Sequence, residues 1–253
     1  MERFWRGEPK NELFVAMPMP PDGSFESRFT DVIRHAAERV GLEARRSREI
    51  LGSNAIFTQI LSGIANSRMV LCDLSDDPRG PKGYANGNVL HEAGIAMTIH
   101  EPHSVVLIRE QPPNSLRDFD VRFIRIHSPS DGKITEDWLA NILKDALEGI
   151  NLAETERIRV IADCLDDACF ELIINYGKLP EGENNFYIAK GSTEWVLAAR
   201  RLIDLGVLRF ATARETDPFQ YSYRWTSLAK PLIEFLNIHE AEKLKKLSER
   251  PFA

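Results

Sequence analysis

Polar side chains that could do chemistry gather in one stretch of the sequence, around Asp73 and Glu92. Asp73 follows a run of four apolar residues, and a loop rich in Pro and Gly separates it from Asn86 and Asn88. An apolar run bounded by turn residues is typical of a buried strand. The pattern therefore predicts a strand, a loop and a helix that begins at Asn88. Open α/β sheets bind ligands in the crevice outside the carboxyl ends of their strands. We expect Asp73 and Glu92 to face each other across such a crevice.

Carboxylates in a crevice of this kind can stabilise a developing positive charge or attack an electrophilic carbon. We expect Glu92 to be ionised, because the first turn of a helix lies near the positive end of its dipole. Asn88 lies four residues before Glu92 on the same helix face, and Gly94 would permit close backbone packing. Structural roles stay open as alternatives: Glu92 as a helix-start acid, Asp73 as a strand-end residue, and Asn88 as the helix N-cap.

Three segments carry a resemblance to a known family. They are the first strand, which ends Phe14-Val-Ala-Met-Pro18, the third strand, which ends Cys72-Asp-Leu-Ser75, and the helix start from Asn86 to Ala96. Together they resemble the nucleoside 2-deoxyribosyltransferase-like superfamily, and bacterial Toll/interleukin-1-receptor-like (TIR-like) nucleotide-binding domains look similar. The resemblance covers roughly half of the chain, residues 12 to 127.

The resemblance implies a catalytic role for Glu92 at the anomeric carbon of an N-glycosidic bond, with Asp73 beside it. Cleavage of this bond would pass through an oxocarbenium-like transition state, which a carboxylate can stabilise. The implied protein is an N-glycosidase, that is, a deoxyribosyltransferase-like hydrolase or transferase. Two departures from the family are His91, where an aromatic residue is more usual, and a loop from Asp76 to Tyr84 that looks longer. His91 points about 100° away from Glu92 around the helix, which favours a packing or surface role over that of a general base.

The ligand expected from the resemblance is a nucleoside, a nucleotide or NAD, with NAD as a substrate, and no cofactor is expected. Related folds often complete their sites across subunits, so a homo-oligomer is a further implied partner. Arginines near the end of the second strand could hold a phosphate, although a solvated turn is an equal alternative. The expected substrate-binding residues are Met17, Pro18, Asn86, Asn88 and Arg46.

Strands and helices alternate along the first half of the chain, which predicts a parallel sheet covered on both faces. We expect an α/β domain over residues 12–150, doubly wound in the flavodoxin or Rossmann manner, with about five strands. A polar connector at residues 151–155 should separate it from a smaller, mostly helical domain at residues 156–253.

The second domain resembles a winged helix-turn-helix, with Leu202-Ile-Asp-Leu-Gly-Val-Leu208 before a wing and Trp225-Thr-Ser-Leu after it. Such domains bind DNA or proteins. If this one binds DNA, the contacts would include Arg200 and Arg201 on the recognition helix and Arg214 in the wing. The combination of the two domains also looks like some toxin effectors of bacterial defence against phages.

Composition limits the function classes further. The chain has 253 residues, of which 43% are hydrophobic and 28% charged, and its net charge is −6. This is the composition of a globular protein, and the acidic balance disfavours nucleic-acid wrapping as the main role. No apolar run is long enough for a membrane span, and the three cysteines favour a reduced, cytoplasmic protein without a metal site.

Three functions remain open from the sequence. The first is an enzyme that cleaves or transfers at an N-glycosidic bond. The second is a nucleotide sensor of the same fold, coupled to its carboxyl-terminal domain without turnover. The third is a transcription regulator whose winged helix binds DNA.

Overall fold

The structure is a computed structural model that divides the chain into two compact units, Met1–Asn151 and Leu152–Ala253. It describes residues 10–20, 22–23, 25–46, 56–77, 79–112, 125–177, 185–189, 191–214 and 220–249. Several sequence-based expectations lie outside this range. The sequence suggests helix caps at Ser24 and at Ser53 or Asn54, and it places Arg48 among the arginines after the second strand. It also predicts a strand at residues 122–126, whose beginning is outside this range, and a turn at Asp217-Pro218.

The first unit is built on a five-stranded sheet in which every pairing is parallel. The strand order is β2-β1-β3-β4-β5, and the fold is compatible with a Rossmann-like α/β fold. The central strand β3 pairs with β1 and β4 and is almost fully buried, as its apolar run predicted. The strands are β1 (Lys10–Ala16), β2 (Glu43–Arg45), β3 (Ser67–Asp73), β4 (Val105–Ile108) and β5 (Ile126–His127).

Helices cover both faces of this sheet. The segment after β1 begins with a π-helical stretch, Arg28–Ile33, and continues as α1 (Arg34–Arg39) up to Gly41, whose φ of +78° ends it. This segment and the first part of α4 (Glu136–Asp163) pack on one face, in a cluster with Val15 and Leu71. On the opposite face, α2 (Ile56–Asn66) and α3 (Gly87–Ile99) pack against Phe14, Val70 and Cys72. Alternate residues of β3 therefore belong to different cores.

The local structure expected for residues 151–155 is wrong. Residues 151–155 do not form a polar connector, because α4 runs without interruption through them from Glu136 to Asp163. The apolar spacing from Ile158 to Ile173 predicts one continuous helix, but the chain leaves the helix after Asp163. Asp166 then caps α5 (Asp167–Tyr176) by accepting a hydrogen bond from the Cys169 amide at 2.9 Å. Polar composition alone cannot separate an exposed helix from a loop.

The second unit combines helices with a three-stranded antiparallel sheet of order β6-β8-β7. Its core includes Phe170, Leu202 and Trp225. Strand β6 was not predicted from the sequence, whereas the β7–β8 hairpin and the helix before it were. The elements are β6 (Asn185–Ala189), α6 (Thr193–Asp204), β7 (Leu208–Arg214), β8 (Gln220–Trp225), α7 (Ala229–His239) and α8 (Ala241–Ser248).

Candidate active site

Glu92 lies in the second turn of α3, a helix that begins at Gly87 rather than at Asn88. Its side chain is half-buried, and burial raises the pKa of Glu92 to about 7 from an ordinary value of 4.5. Within the described part of the chain, no side chain forms an ion pair with this carboxylate. The pKa of Glu92 is therefore raised, whereas the helix dipole was expected to favour the ionised form. The helix dipole acts most strongly within the first turn, and Glu92 lies beyond that turn. Desolvation therefore dominates its pKa.

The neighbouring thiol of Cys72 locates Glu92 relative to the sheet. Burial first, and then the negative charges of Glu92 and Asp73, raise the pKa of Cys72. Cys72 packs in the same core as Val89 and Ala93 of α3. Glu92 therefore lies where α3 passes the carboxyl end of β3, the position in the fold where α/β sheets bind ligands.

Asp73 is fully buried at the carboxyl end of β3. One of its oxygens accepts a hydrogen bond from Arg28 Nη1 at 2.9 Å, and the other accepts from the Ser75 amide at 3.0 Å. Because Leu71 and Asp73 alternate with Cys72 along the strand, Asp73 points to the opposite face of the sheet from Cys72 and α3. The two carboxylates therefore do not face each other, and Asp73 is held as an ion-pair partner.

Arg28, which no sequence pattern indicated, joins three groups at this edge of the sheet. Its Nη1 also donates to Ser75 Oγ at 3.0 Å, and its Nη2 forms an ion pair with Glu110 at 2.6 Å. Burial opposes its charge, but the ion pairs with Asp73 and Glu110 raise the pKa of Arg28. The partners lie 45 and 82 residues away along the chain, so no local pattern could have indicated them.

Arg109 was also missed, and it anchors the loop between β3 and α3. Its side chain is fully buried and donates hydrogen bonds to the Leu74 carbonyl and to Asp76. The second oxygen of Asp76 accepts from the Gly83 amide at 3.1 Å, and its own amide donates to Gln111 Oε1 at 3.0 Å. A buried cation thus sets the path of the loop that leads to Glu92.

Asn86, expected to bind substrate, is the N-cap of α3. Its Oδ1 accepts from the amides of Asn88 and Val89 at 2.9 and 3.3 Å, and its Nδ2 donates to Asp77 at 2.6 Å. A hydrogen bond from the Arg79 side chain is the largest of the effects that lower the pKa of Asp77 to about 2. Asn88, the alternative cap, is exposed in the first turn of the helix. All described hydrogen bonds of the Asn86 side chain thus serve the helix start.

The other expected substrate-binding residues lie on the α1 side of the sheet. Met17 is buried in the core there, and Pro18 is buried in the loop that follows β1. Arg46 is buried just after β2, where its guanidinium forms an ion pair with Glu26 and lies 4.1 Å from the centre of the Phe29 ring. These contacts favour a structural role for Arg46 over the expected phosphate contact.

An exposed ring of α3, directly before Glu92 in sequence, stacks on an exposed ring of α2. His91 of α3 and Phe57 of α2 are stacked, with 6.2 Å between ring centroids and 8° between ring planes. Phe57 is 56% exposed, a large value for a phenylalanine. The close backbone packing expected at Gly94 is absent, because a Cβ atom added there would meet nothing within 4 Å.

The arginines expected to contact DNA are engaged with acidic residues or lie outside the described side chains. Arg200 pairs with Asp204 at 3.3 Å on the same helix, and Arg201 forms an ion pair with Asp166. Arg214 ends β7, and its side chain is outside the described atoms. The helix α6 thus presents paired rather than unpaired positive charge.

Among the described residues, no group of three or more His, Cys, Asp or Glu side chains is placed to bind a metal ion. None of the described helices combines the length and apolar character needed to cross a membrane. In comparisons with known proteins, no family model matches the sequence, and no curated protein matches it.

Proposed function

We propose that the first unit is a flavodoxin-like, doubly wound domain of the nucleoside 2-deoxyribosyltransferase-like or TIR-like superfamily. We further propose that it cleaves or transfers at the N-glycosidic bond of a nucleoside, a nucleotide or NAD. The observation that carries the proposal is Glu92, a half-buried carboxylate whose pKa burial raises to about 7. Strongly perturbed ionisable groups near ligand crevices are frequent among catalytic residues. The strand order and the helices on both faces support the fold assignment.

Glu92 is the catalytic residue in this proposal. As the bond between the anomeric carbon and the base breaks, its electron pair leaves with the base and positive charge develops on the sugar. The ionised carboxylate stabilises that charge or attacks the anomeric carbon, and water or a second base then completes the reaction. Because the carboxylate is partly desolvated, its attraction for a cationic sugar is stronger than it would be in water.

Asp73 acts in this proposal as a positioning residue. Its ion pair with Arg28 ties the end of β3 to the helix that follows β1, and Glu110 extends the contact to the segment after β4. The Arg109 contacts to Leu74 and Asp76 hold the next residues of the chain. These contacts order the loop that leads to the Glu92 helix.

A base-release assay tests the proposal. Nucleosides, nucleotides and NAD are incubated with the wild type, with Glu92→Gln and with Glu38→Gln, in which an exposed glutamate of α1 is changed. We expect free base from the wild type and from Glu38→Gln, and none from Glu92→Gln. Because the ionised carboxylate is the active form, kcat/KM should rise with pH through about 7. Nucleotide binding without any base release would overturn the enzyme and favour the sensor.

We propose that the second unit is a winged-helix-like module that binds a protein rather than DNA. The support is its antiparallel sheet with the β7–β8 hairpin directly after α6. The pairing of Arg200 and Arg201 with acidic residues favours a protein partner. Fluorescence anisotropy with duplex DNA checks this proposal. Binding that weakens with salt and on Arg200→Ala would assign the module to DNA instead.

A further inference from the structure

Phe57 and His91 form an exposed stack, and core packing does not explain why two rings are exposed at this place. Its ring planes differ by only 8°, and its centroids lie 6.2 Å apart, near the upper end of the distances found for aromatic pairs. Phe57 is 56% exposed, and His91 is exposed as well. A phenylalanine side chain stabilises a fold mainly through its burial, and much of that burial is absent for Phe57.

The topology of the sheet places this stack at the same edge of the sheet as Glu92. The chain passes from β2 through α2 to β3, and from β3 through α3 to β4, so both helices begin at the carboxyl ends of parallel strands. Both helices pack on the face of the sheet that holds Cys72, and they contact each other. Phe57 is the second residue of α2, and His91 immediately precedes Glu92 in α3.

We propose that Phe57 and His91 form a stacking platform for the planar heteroaromatic base of the substrate. The proposal rests on the proposed function, because it places the base next to the carboxylate that acts on its glycosidic bond. Every nucleobase and the nicotinamide ring have a π-face, and such faces stack on aromatic side chains with little dependence on the pattern of hydrogen-bond donors and acceptors. Parallel rings that keep exposed surface can accept a further ring in the same orientation.

The platform also defines the class of ligand. It binds the flat face of a base and does not contact the phosphates. The described arginines near this edge of the sheet are consistent with a site that does not bind phosphate. Arg28, Arg46 and Arg109 are each already ion-paired with a carboxylate of the chain. Binding energy at this site should therefore come mainly from the base.

Binding measurements test the platform directly. Titration calorimetry with AMP, NAD and ribose 5-phosphate is carried out on Glu92→Gln, which should hold substrates without turnover, and on Glu92→Gln with Phe57→Ala. We expect Phe57→Ala to weaken the binding of AMP and NAD by roughly tenfold and to leave ribose 5-phosphate unchanged. Phe57→Trp should restore binding. The matched control is Phe210→Ala, which removes a phenylalanine that is 51% exposed in the second unit and should change nothing.

Three results would overturn the platform: no binding of AMP or NAD to Glu92→Gln, unchanged affinity in Phe57→Ala, or an equal loss for ribose 5-phosphate. Thermal denaturation of each variant shows whether a loss of binding comes from unfolding. Restored binding in Phe57→Trp then indicates that stacking, and not folding, was lost in Phe57→Ala. The base-release assay separates this proposal from the proposed function. If the wild type releases base and Phe57→Ala leaves the affinities unchanged, only the platform proposal is refuted. If Phe57→Ala weakens binding but the wild type releases no base, only the proposed enzymatic activity is refuted.

Discussion

At the scale of single residues, Glu92 and Asp73 carry the same functional group in different surroundings. Asp73 is fully buried, yet Arg28 and the Ser75 amide supply it with hydrogen bonds. Glu92 is only half-buried, but its charge has no described partner, and burial raises its pKa to about 7. A carboxylate that is compensated in this way stabilises the fold, whereas one that is desolvated without compensation costs stability and gains reactivity.

The raised pKa of Glu92 predicts how stability depends on pH. Between pH 4.5 and about 7 the folded protein keeps a proton that the unfolded chain has lost, so this group stabilises the fold less as the pH rises through that window. Glu92→Gln stays neutral, and we expect it to be more stable than the wild type at pH 8 by on the order of 1–3 kcal/mol. Urea denaturation at pH 4 and pH 8 measures the difference. An equal difference at both pH values would show that Glu92 is not desolvated.

At the scale of elements, the start of α3 depends on Asn86. This residue satisfies two amides of the first turn, and its own amide group binds Asp77 in the preceding loop. Arg109 fixes the same loop from the other side through Asp76. The position of Glu92 is thus set by a cap and an anchored loop. The helix has no acidic residue in its first turn that would add to the cap.

Removing this cap should destabilise the helix that carries Glu92. We expect Asn86→Ala to lower the free energy of unfolding by about 1 kcal/mol, because two amides lose their acceptor. The matched control is Asn88→Ala, two residues further on, where the side chain is exposed and the change should be within ±0.5 kcal/mol. Thermal denaturation compares the two variants. A larger loss for Asn88→Ala would reassign the cap.

Two glycines in neighbouring helices should respond in opposite directions to alanine. A Cβ atom at Gly63 of α2 would lie 2.6 Å from a ring carbon of Phe14, whereas one at Gly94 of α3 would meet nothing within 4 Å. We expect Gly63→Ala to destabilise the fold by about 1–3 kcal/mol through overpacking. Gly94→Ala should stabilise it by up to about 1 kcal/mol, because alanine is the better helix former. Denaturation curves that shift in the same direction for both variants would contradict this account.

At the scale of the whole molecule, each hydrophobic core draws its residues from a single unit. Two clusters flank the parallel sheet of the first unit, and a third cluster holds the helices and the antiparallel sheet of the second. The net charge of −6 and the paired arginines of α6 support the proposal that the second unit binds a protein rather than DNA.

Core truncations should therefore act on one unit at a time. Leu71 and Leu202 are both fully buried, the first in β3 and the second in α6. We expect Leu71→Ala and Leu202→Ala each to cost about 2–5 kcal/mol. Hydrogen exchange followed by mass spectrometry should show faster exchange in β1 and β3 for the first variant, and in α5 and α6 for the second. Faster exchange across both units in either variant would show that they unfold together.

The sequence by itself determined the α/β character of the first half, since buried strands and amphipathic helices follow from the local period of apolar residues. It indicated the β7–β8 hairpin and the order of strand, loop and helix around Asp73 and Glu92. It could not separate the continuous helix α4 from a connector, because a polar stretch suits both.

Only the tertiary structure decided how the charges are paired. Arg28 meets Asp73 and Glu110 over 45 and 82 residues of chain, and Arg109 reaches back to Asp76. Burial of Glu92, the turn of Asp73 to the other face of the sheet and the stacking of Phe57 on His91 are likewise set by packing. Hydrophobic periodicity is a local property of the sequence, whereas desolvation and ion pairing depend on groups that only folding brings together.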